Sequence, residues 1–341
     1  MSLKEADVAV RLRPYAGEPD IPVLTRIAND AMAADKVLDR LTEEQMTLEL
    51  RPDEKSDPAH DLVVAEVDAT PIGFAKVEWI DTNDGLREYR SWGEVHPTWR
   101  RRGIGTVLFA HARRRIDEVA AGHDIDRPRV AGCWGADTDK GAHILYTQHG
   151  YQPVRWFFHM TRPLSDPITD LPLPDGLEVR PVTRADSHRL FMVDNEAFLD
   201  HWGGIDNSDA AFARWSEESS FDPSLHVVAF DGDEIAGAVI NAIYPDANRR
   251  LGVERGWLDS VFTRRPWRGR GLAHALVARS LALLRERGMT EGILGVDANN
   301  ETGALGVYTH NGFVVAERFT AYRRPFEWTD DGAGPMTELN P

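Results

Sequence analysis

Apolar residues along the chain keep two different rhythms, and the order in which the rhythms alternate occurs twice. Val8–Pro14 reads as a short strand, and Asp20–Ala34 follows with the three-to-four spacing of a helix. A second helix is predicted over Thr42–Arg51, opened by Thr42-Glu-Glu-Gln45, an arrangement in which the first and last side chains cap each other's backbone. Leu62–Val67 and Ile72–Ile80 read as strands around Asp68-Ala-Thr-Pro71, and Leu86–His96 as a third. Gly103–Ala121 places Ile104, Val107, Leu108 and Ile116 on one stripe, which predicts an amphipathic helix. Arg129–Trp134 is then a strand, Gly141–His149 a helix and Val154–Thr161 a strand.

The second half predicts the same order. Leu177–Pro181 is a strand, and Arg184–Leu199 and Ser208–Glu218 are helices. His226–Phe230 and Ile235–Ile243 form a hairpin, and Gly256–Thr263 is the strand after it. Leu272–Gly288 is a long helix, Ile293–Val296 a strand, Thr302–Asn311 a helix and Val314–Arg323 the last strand. Strands and helices that do not alternate strictly imply a mixed α/β fold, with a largely antiparallel sheet flanked by helices, in each half. The expected division is a domain over residues 1–165, a linker over 166–176 marked by Pro167, Pro172 and Pro174, and a second domain over 177–341 with a frayed tail from about residue 330.

Composition agrees with two globular domains: 341 residues, 42% hydrophobic and 28% charged. The net charge of −16, from 39 basic and 55 acidic residues, opposes nucleic-acid binding, which rests on neutralising phosphates, and favours cationic ligands. A single cysteine, Cys133, excludes an internal disulfide; it lies in the apolar run Val130–Trp134 and reads as a buried strand residue. No Cys/His cluster has metal spacing. No apolar run approaches the ~18 residues of a membrane span, and the first residues lack an apolar signal core. The expectation is a cytoplasmic protein, monomeric or homodimeric, with no metal, membrane or nucleic-acid partner.

Two phrases carry the chemistry. Trp99-Arg100-Arg101-Arg102-Gly103-Ile104-Gly105 returns as Trp267-Arg268-Gly269-Arg270-Gly271-Leu272-Ala273, each between a predicted strand and a predicted helix. Downstream of each comes Tyr-x-x-x-Gly-aromatic: Tyr146 with Gly150 and Tyr151, then Tyr308 with Gly312 and Phe313. Two phrases in one order at nearly one spacing indicate a duplicated domain. A strand turning directly into a helix presents N–H groups that have no partner within the helix, at the positive end of its dipole, and these bind phosphate. Gly103 and Gly271 let backbone approach an anion, and Arg100 and Arg268 can add charge to it. Gly-Lys-Ser/Thr is absent and the glycine spacing differs from the dinucleotide fingerprint.

On these motifs the chain resembles the GNAT superfamily of acetyl-CoA-dependent N-acetyltransferases, with two tandem domains as in actinobacterial double-GNAT proteins such as mycothiol synthase. The resemblance implies acetyl-CoA as donor, a small-molecule or peptide amine as acceptor, and direct attack of the amine on the thioester. It implies cofactor contacts from Val95, His96, Arg100, Arg101, Arg102, Gly103, Ile104, Gly105 and Thr106 in the first half. In the second half they come from Val261, Phe262, Thr263, Arg268, Gly269, Arg270, Gly271, Leu272, Ala273 and Asn300. Tyr308 and Tyr146 stand where the superfamily places a phenol beside the CoA sulfur. Asp259 and Glu94 are the candidate bases, on the strand that faces the thioester, with Glu88 and Glu254 behind them. Asn299-Asn300 precedes the second Tyr-bearing helix, whereas Thr138-Asp139 precedes the first, so the second domain is expected to be the main catalyst. A protein that binds or senses acetyl-CoA without turnover is the alternative left open, as is an amino-sugar conjugate of the mycothiol-synthase type as acceptor.

Overall fold

The computed structural model describes residues 9–300 and 303–326. Val8 and the tail expected to fray from about residue 330 lie outside the described residues. The first half runs β1 (Arg11–Pro14), α1 (Ile21–Ala34), α2 (Glu43–Glu49), α3 (Pro58–Asp61), β2 (Leu62–Val67), β3 (Thr70–Asp81), β4 (Arg87–Val95), α4 (Ile104–Ala121), β5 (Arg129–Ala136), α5 (Lys140–Gln148) and β6 (Gln152–Pro163). The second runs β7 (Glu178–Arg180), α6 (Ser187–Ala197), α7 (Asp209–Glu217), β8 (Val227–Asp231), β9 (Glu234–Ile243), α8 (Pro245–Leu251), β10 (Arg255–Thr263), α9 (Leu272–Glu286), β11 (Glu291–Asp297), α10 (Ala304–His310) and β12 (Val314–Pro325).

Local chemistry accounts for the boundaries. Thr42 and Gln45 form the predicted reciprocal cap of α2, with bonds of 3.0 and 2.9 Å. The short helices α3 and α8 were not expected: four and seven residues leave no room for an apolar stripe. Their signals are punctuation instead, Pro58 capped by Asp57 in α3, and Pro245 at the start with left-handed Gly252 at the end of α8.

By their internal contacts the described residues divide into two units. Unit 1 holds residues 9–81, 85–154 and 321–326, and unit 2 holds 82–84, 155–300 and 303–320. This departs from the expected division at 165 and 177. The strand that ends the first half, β6, pairs antiparallel with β11 of unit 2 from Phe157↔Asp297 to Pro163↔Glu291. The end of β12 belongs instead to unit 1, where Tyr322 is buried in the core and Arg323 forms a 2.6 Å ion pair with Glu88. The first half has thus given most of β6 to unit 2, and the second half has given the end of β12 to unit 1. The expected linker 166–176 is likewise part of unit 2: Ile168 and Leu173 pack on its core, and the Leu171 carbonyl accepts from Arg279.

In unit 1 the strand order is β1-β2-β3-β4-β5, antiparallel except for the parallel pair β4–β5. Successive residues of β2 face opposite sides. Val63, Ala65 and Val67 join a core with Ile104, Leu108 and Ile116 of α4, while Leu62 and Val64 join one with Leu24 and Ile27 of α1 and Met46 of α2. Helices therefore cover both faces. In unit 2 the order is β7-β8-β9-β10-β11-β6, with β10–β11 the parallel pair. Leu276, Leu281 and Leu284 of α9 cover one face, and Leu190 and Ala197 of α6 lie in the core on the other. Cys133 is buried, as expected, and burial pushes its thiol well above the usual range.

Candidate active site

The parallel strands part company before they end. β4 pairs with β5 only from Arg87↔Arg129 to Arg90↔Gly132, although β4 continues to Val95 and β5 to Ala136. In unit 2 the pairing stops at Leu258↔Leu294, while β10 runs on to Thr263 and β11 to Asp297. Beyond those points each strand turns one row of backbone donors and acceptors towards its neighbour without pairing with it. Backbone polar groups need partners, so each unit presents a slot lined with N–H and C=O at the carboxyl ends of parallel strands, where ligands of open α/β sheets bind. In unit 2 the register against β9 also slips between Leu258 and Ser260, a bulge at Asp259 that re-aims the side chains beyond it.

The loop after each splayed strand is built from left-handed residues. Arg101 and Gly103 have φ of 65° and 81°, and Gly269 and Gly271 have 74° and 84°. Backbone of this kind turns its N–H groups into an anion-binding concavity. α4 starts on Gly103 and α9 on Gly271 with no side chain capping either. The N–H groups of Ile104, Gly105 and Thr106, and of Leu272, Ala273 and His274, therefore have no partner within their helix.

The expected side-chain role of Arg100 and Arg268 is corrected. Arg100 makes a bidentate pair with Asp35 at 2.6 and 2.7 Å, and its Nε donates to the Val95 carbonyl at 3.2 Å. Arg268 repeats this: Nε donates to the Thr263 carbonyl at 2.9 Å, and the guanidinium meets Asp200 at 2.9 Å and the Ala197 carbonyl at 3.2 Å. A fork already filled by a carboxylate and a carbonyl adds little to a phosphate. Each Arg ties the loop to the end of its strand and to the helix below. Sequence reasoning missed Asp35 and Asp200 because both lie far away along the chain.

The two tyrosines differ. Tyr146 donates to the Trp134 carbonyl at 3.1 Å and packs on Phe109 and Tyr322. Tyr308 is 5% exposed, and no described residue bonds its hydroxyl. Burial pushes both phenols up. The carboxylates differ too. Glu94 is 21% exposed and 3.7 Å from Arg100, and desolvation pushes it up to about 8. Asp259 is exposed and accepts from the Tyr244 hydroxyl at 2.9 Å. Glu88 is buried in the pair with Arg323 and is structural. His96 is tied to Asp30 and Thr98. Asn300 donates its backbone N–H to the Asp297 carbonyl at 3.2 Å. Sequence reasoning also missed Asp194 on α6: the Ser260 hydroxyl donates to it at 2.5 Å, and desolvation pushes it up to about 6.

Residues 189–313 match the acetyltransferase (GNAT) family and residues 58–153 match an acetyltransferase (GNAT) domain. The chain is 30% identical over 310 residues to the mycothiol acetyltransferase of Salinispora arenicola (strain CNS-205), spanning 89% of this chain and 92% of that one. It is 32% identical over 236 residues to that of Nocardia farcinica (strain IFM 10152), spanning 67% and 72%. Among solved structures, a GCN5-related N-acetyltransferase from Sphaerobacter thermophilus superposes with a TM-score of 0.69 at 26% identity, over 93% of this chain and 95% of that one. A tandem GNAT protein from the clavulanic acid biosynthesis pathway shares the fold with a TM-score of 0.67 at 18% identity, over 94% and 100%.

Proposed function

The chain belongs to the GNAT acetyltransferase family and is an N-acetyltransferase, and from that premise we propose that acetyl-CoA is its donor and the primary amine of a small molecule its acceptor. The observation that carries the donor assignment is the paired device of splayed strand, left-handed loop and uncapped helix start, present in both units. The free N–H groups after Gly271, and those after Gly103, suit a pyrophosphate. Val261, Phe262 and Thr263, and in unit 1 Val95, offer backbone for an extended arm and a donor for the thioester oxyanion. The side chain of Asn300 is assigned to the same arm.

Unit 2 is the main catalyst in this reading. An amine attacks the thioester carbonyl, the C–N bond forms, the C–S bond breaks, and the sulfur must take up a proton. Tyr308 has a hydroxyl with no acceptor among the described residues, so its proton is available to the leaving sulfur; the Tyr146 proton is held by the Trp134 carbonyl. Unit 1 binds a second acetyl-CoA. Glu94 would be its base if it turns over, as its raised carboxyl is matched to proton transfer near neutral pH. A mycothiol-precursor amine is the second reading of the acceptor, favoured by the shared name of the relatives.

Two measurements test the proposal. Calorimetry should give two acetyl-CoA per chain, and free CoA should be released when a panel of primary amines is added. No acetyl-CoA binding at all refutes the donor assignment; one equivalent refutes the role of unit 1.

A further inference from the structure

Asp194 presents a problem that the amine reaction would solve. It sits on α6 over β10, beside Ser260, immediately past the bulge and in the stretch where β10 has left β11. One oxygen accepts from the Ser260 hydroxyl, and no described residue supplies a cation. The charged groups on the elements around it are committed elsewhere. Glu196 on α6 pairs with Arg264 and Arg189 with Glu234, Arg214 on α7 with Asp206, and Arg255 on β10 with Glu291. Asp259 on β10 is held by Tyr244. Of the other titratable groups there, His188 on α6 packs on Phe212, and Asp209 and Glu217 on α7 are acids that bring no positive charge. A poorly solvated carboxylate without a cation is costly unless a partner arrives. Its side chain keeps some exposure, so a ligand can reach it. In unit 1 the residue at the same distance before its loop is Trp92, packed on Phe74, in place of a serine.

We propose that Asp194, oriented by Ser260, is the group in unit 2 that holds the acceptor's ammonium and takes its proton, which makes the acceptor a cationic primary amine approaching β10 from the α6 face. This rests on the N-acetyltransferase reading above. The step balances: R–NH3+ gives one proton to the Asp194 carboxylate and becomes R–NH2. Its lone pair forms the C–N bond as the C–S bond breaks; Tyr308 gives its proton to the sulfur and takes the second N–H proton in its place. Desolvation raises the carboxyl into the range of a working base, and the Ser260 bond opposes that rise.

The test uses the full chain with saturating acetyl-CoA and three acceptors, glucosamine, spermidine and tyramine, followed by CoA release from pH 5 to 10. The parent kcat/KM should show an acid limb near the Asp194 value. Asp194→Asn should lose that limb and fall about 100-fold at pH 7, recovering at pH 10 where the amine deprotonates unaided. Ser260→Ala, which keeps the carboxylate, should move the limb to higher pH, a shift that a packing role does not produce. An acid limb unchanged in both variants overturns the inference, as does acetyl-CoA binding with turnover of none of the three amines. Failure to bind acetyl-CoA refutes the proposed function instead.

Discussion

Arg323 and Glu88 offer the sharpest energetic test of the exchanged strand. They are 2% and 1% exposed and meet through Nε at 2.7 Å and Nη2 at 2.6 Å. Removing one member of a buried pair costs about 3–5 kcal/mol, because the other charge stays behind unsolvated. In Arg323→Met, Glu88 keeps Arg90 at 2.9 Å, and Arg90 is itself 23% exposed. The expected loss is therefore near the lower end, about 3 kcal/mol, or roughly 6–12 °C in the melting of unit 1. The double variant Glu88→Met/Arg323→Met should recover most of that, since no fully buried charge is then stranded and Arg90, which loses Glu88, is 23% exposed. Unbranched Met suits the site because the Glu88 side chain lies against the bare Cα of Gly132, where a Cβ would collide with it. Urea and thermal unfolding of the parent, Arg323→Met, Glu88→Met and the double variant measure the cycle. A single-variant loss under about 1 kcal/mol, or a double variant as weak as Arg323→Met, refutes the reasoning.

Gly271→Ala should cost about 1–2 kcal/mol, since it forces a side chain to φ 84° although nothing crowds a Cβ there; calorimetry should show acetyl-CoA lost from unit 2 alone. Tyr308→Phe should lower kcat roughly 100-fold with little change in stability. Tyr146→Phe should cost about 1 kcal/mol through the lost bond to the Trp134 carbonyl and change kcat little. Glu94 holds its proton to a higher pH when folded than when unfolded, so its protonated form favours the fold; stability should fall as pH rises from about 4.5 to about 8. Glu94→Gln should flatten that slope in unfolding curves taken across the range.

What could be read from the sequence was whatever is local. The loop geometry follows from Gly103, Gly269 and Gly271, and the α2 cap from Thr42 and Gln45, because each acts within a few residues of itself. Arg100 and Arg268 could be located but not interpreted. Their partners Asp35 and Asp200 lie just past the ends of α1 and α6, and a cation beside a phosphate-type loop looks the same in sequence whether it binds the anion or braces the loop. Asp194 and Ser260 are ordinary residues until α6 crosses β10. The closing strands β6 and β12 were recognised as strands, but alternation says nothing about which neighbour a strand will choose.

That choice has a consequence for how the chain is made. Unit 1 is finished by Tyr322 and Arg323, so its first 154 residues cannot close their core as they leave the ribosome. They must wait, with Glu88 paired to Arg90 alone and one side of the sheet open, until residues 321–326 have been translated. Late, long-range pairing of this kind slows folding and leaves an unpaired edge exposed meanwhile. Cutting the gene between its two repeats would therefore yield two unfinished pieces, because the duplication visible in the message is not a seam in the product.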